Sequence, residues 1–335
     1  MWGAMVGISL GLGPLLGGLL VDTVGWRAIF RVNIPVVLAA WVLTARLVPE
    51  SRAARPRRAD PVGQLLVVAL LGSTVAAVIE GPRLGWSSAG VLGLVALGVG
   101  ALVLPVVWER RHPEPLVELR FFRSAPFTSA TVIAVCAFAA FGSLLFLSAL
   151  YPQDVRGLSA LQAGLTLLPA AVATTVVAPL AGRMVAARGA RLPLALGGTA
   201  MVAVALTFSQ LSPATPLWLV LVAHGVFGCG FALLNPPITN TAVNGMPPER
   251  AGVAAAVAST SRQAGRSFGV AISGTVVATV ASTAAGVATA WAVVVPLTVV
   301  VVVLGVPGTT ARAHASAARV AALFPAAPSS PARAA

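Results

Sequence analysis

The sequence predicts an all-α fold, a polytopic membrane protein with about ten transmembrane helices, and three observations carry that prediction. Of its 335 residues 58% are hydrophobic and only 9% charged, where an ordinary soluble domain has about a quarter charged. The apolar residues fall in runs near twenty, the length a helix needs to cross about 30 Å of hydrocarbon. The 22 basic residues are all arginine. They crowd into alternate connections between the runs, as the positive-inside rule requires of an oriented chain.

The first run, 2–21, carries no charge and contains "GLGPLLGGLL" at 11–20. Gly13-Pro14 and Gly17-Gly18 would weaken a helix in water, but in lipid the neighbouring helices can re-satisfy the loosened backbone. With no basic lead-in and no small-residue cleavage site, the run does not read as a secretory signal. Further spans are predicted at 29–47, 62–80, 89–108, 127–150, 161–181, 192–210, 217–235, 256–282 and 287–306. The 256–282 segment exceeds a bilayer's need, so its first turns are expected to project into the cytoplasmic interface. Beyond residue 307 the chain is rich in Ala, Pro and Ser, and a disordered cytoplasmic tail is expected for 307–335.

Charge orients the stack. One set of connections holds Arg46, Arg52, Arg55, Arg57 and Arg58, then Arg110, Arg111, Arg120 and Arg123, then Arg183, Arg188 and Arg191, then Arg250 and the tail arginines. The opposite set holds Arg27, Arg31, Arg83 and Arg156. The richer set is therefore cytoplasmic, the first span runs outward, and the C-terminus lies inside. Trp26, Trp86, Trp218 and Trp291 fall at outer boundaries and Trp108 at an inner one, as an aromatic belt would. The stretch 108–124 mixes arginines with Leu116, Leu119, Phe121 and Phe122 and is expected to lie along the inner surface. The net charge of +13 is spread over short loops, which suits a lipid surface and not nucleic acid.

Enzyme chemistry finds no footing. Cys136 and Cys229 sit in different spans and form no motif. His112, His224 and His314 are too scattered for a metal site. There is no phosphate-binding Walker loop, dinucleotide fingerprint or nucleophile elbow. Neither an ATP-driven pump nor an enzyme is expected, and no metal or cofactor. All nine acids, from Asp22 to Glu249, lie at span ends or in loops. The chain thus shows no obvious proton carrier at mid-membrane.

Several stretches resemble the major facilitator superfamily, and within it the fourteen-helix drug:proton antiporter branch. "SLGLGPLLGG" at 9–18 resembles the antiporter motif of the fifth helix, with Ser9 where glycine is usual. "GWRAIFRVNIP" at 25–35 is similar to the outer loop and sixth helix of the branch. "PLAGRMVAARGAR" at 179–191 resembles the loop motif of the second half, with Ala186 replacing an acid. "SRQAGRSFGVAISG" at 261–274 resembles the penultimate helix, with Arg266 where a small residue is common. The resemblance implies a solute transporter working by alternating access. It further implies that 1–47 ends the first half, that 48–125 carries two linker helices, and that 126–306 is a six-helix second half. By that count four helices precede residue 1, bringing the protonatable acid with them, so the 335 residues alone are not expected to perform coupled transport. The 62–108 hairpin is expected outside the main bundle.

The site candidates follow, each with a plainer alternative. Gly13, Pro14, Gly17 and Gly18 either gate a cavity or simply pack closely on 161–181 through Gly164, Ala170, Ala173 and Ala178. By that register cysteines at 17 and 173 should crosslink. Asp22 and Arg27 pair across the outer end of the first span, in a gate or as a solvated ion pair worth little. Asn33 makes a helix–helix hydrogen bond. His224 is a packed neutral ring, or a cavity or proton group. Arg262 and Arg266, with Gln263 between them, share a helix face. They either anchor at the inner headgroups by snorkelling or line the inward vestibule. Gly265, Gly269 and Ser273 repeat every four residues on an adjoining face suited to close packing.

The leading function is efflux of drugs or other small molecules, hydrophobic or cationic, in exchange for protons across a bacterial inner membrane. Export of an endogenous metabolite or antibiotic, or a truncated membrane fragment without transport, are the alternatives.

Overall fold

Every predicted span is helical. The computed structural model describes residues 2–50, 60–109, 119–243 and 251–321. The helices are α1 (Trp2–Thr23), α2 (Arg27–Leu47), α3 (Pro61–Leu84), α4 (Ala89–Glu109), α5 (Ala125–Leu150), α6 (Ala160–Thr166), α7 (Leu168–Arg188), α8 (Arg191–Phe208), α9 (Leu217–Val243), α10 (Ala251–Thr279), α11 (Thr283–Gly305) and α12 (Ala311–Ala321). Among the described residues eight segments are long and apolar enough to cross a membrane, with α6 and α7 counting as one. The other two predicted spans are helices as well: α4 is 21 residues long and almost wholly apolar, and α10, at 29 residues, carries a polar stretch between Ser259 and Ser267.

Helices α5 and α7 to α11 enclose the core. Its centre is aromatic: Phe141 and Phe231 stack at 4.4 Å, Phe138 meets Phe231 at 5.1 Å, and Phe208 meets Trp291 at 5.0 Å. Trp291 is 1% exposed, so it is a core residue and not part of an outer belt. Trp26, Trp86 and Trp218 are exposed. Position near a span end is a weak guide, because a large ring adds so much contact area when buried. Helix α1 lies along α6 and α7, and α2 packs mainly on the end of α1 with no buried residue of its own.

Prolines shape two spans. The predicted 161–181 helix breaks between α6 and α7, where Pro169 has no N–H to give to Leu165 and its ring crowds that carbonyl. Ser159 starts α6 with a capping box: its hydroxyl accepts from Gln162 N, and Gln162 Oε1 accepts from Ser159 N at 3.0 Å. Helix α5 continues into a π-helical turn at Tyr151–Val155, which contains Pro152.

The α3–α4 hairpin is tied at both ends. Asp60 accepts from Gly63 N at 2.8 Å, capping α3, and from Trp108 Nε1 at 3.3 Å. At the turn the Trp86 ring seats against Gly81, and Arg83 pairs with Glu80 at 2.9 Å. The hairpin contributes nothing to the aromatic core and joins the bundle from outside, where α3 packs on α10 and Thr275 Oγ1 donates to Val78 O at 2.8 Å.

The expectation of a disordered tail fails over 311–321. Helix α12 buries Ala313, Ala317 and Val320, a stripe at helical spacing. Ser316 Oγ accepts from Ala125 N at 2.9 Å, fixing it to the start of α5. Arg52, Arg55, Arg57, Arg58, Arg110, Arg111, His112, Arg250, most of the 108–124 stretch and the tail past 321 lie outside the described residues.

Candidate functional site

Two polar features face cavities in the bundle, and each sits beside a seam of small residues. The first is the contact of α1 with α6 and α7. A Cβ added to Gly11 would lie 2.9 Å from Ala171 Cβ, and one on Gly18 would lie 2.5 Å from Ala160 O. On the partner, a Cβ on Gly164 would lie 2.6 Å from Pro14 O, and Gly7 is pressed against Thr175. The helices are therefore antiparallel and in backbone contact along Gly7, Gly11, Pro14 and Gly18, one helical face. Gly13 and Gly17 do not belong to it: nothing lies within 4 Å of a Cβ at either. Packing of 2–21 on 161–181 is as expected, but the register is not, because Gly7 and Gly11 do the work assigned to Gly13 and Gly17. Gly17 and Gly18 are adjacent, so they point about 100° apart on a helix and cannot both face one neighbour.

Beside this seam Pro14, Gly17, Gly18 and Val21 of α1 face Leu145, Ser148, Ala149 and Gln153, enclosing a cleft of about 340 Å³. Ser148 is one of its two polar side chains, with Gln153, and its Oγ is 2.8 Å from His224 Nε2. His224 is 1% exposed, its ring meets Phe208 edge-on at 5.3 Å, and its Nδ1 has no hydrogen-bond partner. The histidine thus sits one hydrogen bond behind the cleft.

Above the cleft Asp22 takes a partner other than the one expected. Its carboxylate accepts from Ser159 Oγ at 2.7 Å and from Leu161 N at 2.9 Å. Asp22 therefore serves the first turn of α6, where free N–H groups and the helix dipole favour an anion. Arg27 instead lies over the Trp26 ring at 4.6 Å. Asn33 bonds within its own helix, Nδ2 to Ile29 O at 3.0 Å, and not to a neighbouring one.

The second feature is on α10. Gly265 and Gly269 press onto the α5 backbone at Val135 and Ala139, and Gly142 receives the Arg266 carbonyl. Ser143 Oγ donates to Gly269 O at 3.1 Å, and Ser273 is fully buried. The four-residue repeat is thus a close seam, as read from the sequence. On the adjoining face Arg262 donates to Thr239 Oγ1, and its guanidinium lies 5.8 Å from the Phe138 ring. The Arg266 guanidinium lies 5.8 Å from Phe138 and 5.4 Å from Phe141. Gln263 is exposed. Sequence reading missed Phe138, Phe141 and Ser148, which are far from their partners along the chain and carry no motif of their own.

A family model described as the Major Facilitator Superfamily matches residues 1–270. The chain is 39% identical to the multidrug resistance protein Stp of Mycobacterium tuberculosis H37Rv, over 82% of this chain and 51% of Stp. It is 36% identical to the methylenomycin A resistance protein of Streptomyces coelicolor, over 82% of this chain and 58% of that protein. With the tetracenomycin C resistance and export protein of Streptomyces glaucescens it shares 35% identity, over 82% and 52%. These matches and the helical bundle define a multi-pass membrane protein of a transporter family. The chain belongs to the Major Facilitator Superfamily, and its matches among resistance and export proteins accord with the drug:proton antiporter branch. It spans about half the length of these curated relatives.

Proposed function

We propose that the whole protein is a secondary active exporter, moving small hydrophobic molecules out of a bacterial cell by alternating access in exchange for protons. The observation that carries this reading is the α1 seam. A glycine-lined helix lies in backbone contact with α6 and α7, beside a cleft that opens or closes if the two surfaces rock. Close, side-chain-poor contacts permit such motion, because no interdigitated side chains have to disengage. Relatives named for resistance and export support the direction of transport. The arginine distribution supports a cytoplasmic C-terminus.

The proton gradient would be the energy source, with no cofactor. Two titratable side chains of this chain adjoin the cleft, His224 through Ser148 and Asp22 at its upper edge beside Val21 and Ala160. Hydrophobic substrates suit walls made mainly of Leu, Val, Ala and Gly. A cationic substrate, the other expectation, calls for a carboxylate, and the residues lining these cavities include none.

The test is export of the neutral dye Nile red from an efflux-deficient bacterium expressing the protein. Export should stop when nigericin collapses the pH gradient and persist when ATP synthesis is blocked with the gradient maintained. Export that ignores nigericin would overturn proton exchange, and absence of export from a correctly inserted protein would overturn the transport reading.

A further inference from the structure

Arg266 lies midway along α10, half-buried and facing the rings of α5. It is the sixteenth of the 29 residues of α10, so about 20 Å of helix lies on either side of it at 1.5 Å per residue. Its guanidinium turns in toward the α5 rings Phe138 and Phe141. The chain does not neutralise it: among the described residues no carboxylate lies within ion-pair distance of Arg262 or Arg266. Arg266 Nε is buried without a hydrogen-bond partner.

The guanidinium rests on Phe138 and Phe141 and borders a cavity of about 600 Å³. The other walls are Val75 and Ile79 of α3, Phe146 of α5, and Val270, Gly274 and Thr275 of α10. The cavity is therefore apolar, aromatic on one side, and cationic at one point. Arg262 lies one turn away against the same Phe138 ring and adds to the positive potential. A half-buried cation without a counter-ion favours an anion, and an aromatic face leaves the edge of the guanidinium free to supply paired N–H donors to a carboxylate or sulfonate.

We propose that this cavity binds an amphipathic organic anion: an apolar ring system against Phe146, Val270 and the α3 wall, with its acid group on Arg266. The proposal rests on the transport reading for its role as substrate, but binding can be tested without transport. The probes are fluorescein and rhodamine 6G, which share a xanthene ring and carry opposite charge. Anisotropy titrations would use the 335-residue chain in phosphatidylcholine nanodiscs.

Fluorescein should bind more tightly than rhodamine 6G. Arg266→Met should weaken fluorescein about ten- to a hundredfold, the worth of a charge-assisted hydrogen bond, and leave rhodamine 6G unchanged or tighter. Arg266→Lys should recover part of the loss. Fluorescein binding indifferent to Arg266→Met, absent from the wild type, or weaker than that of rhodamine 6G overturns the proposal. Repeating the titration in discs with one-third phosphatidylglycerol separates the two sources of acid. Abolished binding there would assign Arg266 to a lipid headgroup and overturn the substrate assignment. Intact Arg266-dependent binding with no Nile red export would strike the transport reading alone.

Discussion

The register of α1 on α7 can be decided with two cysteine pairs. Gly11→Cys with Ala171→Cys places Cβ atoms that the structure puts 2.9 Å apart, against a disulfide requirement of about 3.5–4.5 Å. A shift of less than about 1 Å brings them into bonding geometry. Gly17→Cys with Ala173→Cys is the contrasting pair. Since residue 11 faces 171 in an antiparallel contact, residue 173 faces about residue 9, and residue 17 is roughly 12 Å further along the axis at 1.5 Å per residue. Gly17 also points away from α7, with nothing within 4 Å. Both natural cysteines, Cys136 and Cys229, are free and would be replaced by alanine first. Mild oxidation in membranes, followed by protease cleavage between the positions and gel analysis, reads the crosslink. The first pair should close nearly to completion and the second should not. Crosslinking of the second pair at a comparable rate, or failure of the first in folded protein, would refute the register.

Other substitutions test the remaining contacts. Gly269→Ala forces a Cβ onto the α5 backbone at Ala139 and should cost about 1–3 kcal/mol, read as thermal stability in detergent; Gly17→Ala should be neutral or slightly stabilising. Ser148→Ala leaves the buried His224 ring without its hydrogen bond and should cost about 1–3 kcal/mol. Adding His224→Phe should recover much of that loss, and strictly additive effects would deny the pairing. Asp22→Ala removes the acceptor at Leu161 N and should speed hydrogen exchange at the first turn of α6, whereas Arg27→Ala should not. In the full transporter Arg262→Ala, which frees Thr239, should lower efflux at unchanged membrane abundance; unaltered efflux would return Arg262 to anchoring.

The existence of the spans was legible because length and apolarity alone decide it. The facing of α1 was not. Its lipid side and its protein side are both apolar, so hydrophobicity has no preferred direction around the helix, and only the spacing of small residues could reveal the seam. Gly7, Gly11 and Gly18 share that face, but the stretch 9–18 that resembles a motif offers Gly13 and Gly17 as well, and nothing within the stretch tells the two faces apart. On α10 the same logic succeeded. Gly265, Gly269 and Ser273 are flanked by arginines, which break the uniformity and show which side is which. The Ser148–His224 contact joins residues 76 positions apart, and no local pattern in either segment points to the other. Helix α12 was missed because an Ala-rich segment with low hydrophobicity resembles disorder until the placement of Ala313, Ala317 and Val320 on one face is weighed.

The two features of α10 are one device. A long cationic side chain in a membrane normally relieves its cost by bending toward the interface or by letting its helix slide. Sliding is closed to Arg266. Its own carbonyl lies against Gly142, and the turns on either side of it are pinned to Val135 and Ala139 through Gly265 and Gly269. A slide of one residue would drive side chains into the α5 backbone, since the glycine positions on both helices would lose register together. The position of the charge against α5 is therefore set by the seam, with Phe138 within reach of both guanidiniums and Phe141 within reach of Arg266. A cation held this firmly keeps its energetic cost, and the binding of an anion is what would relieve it.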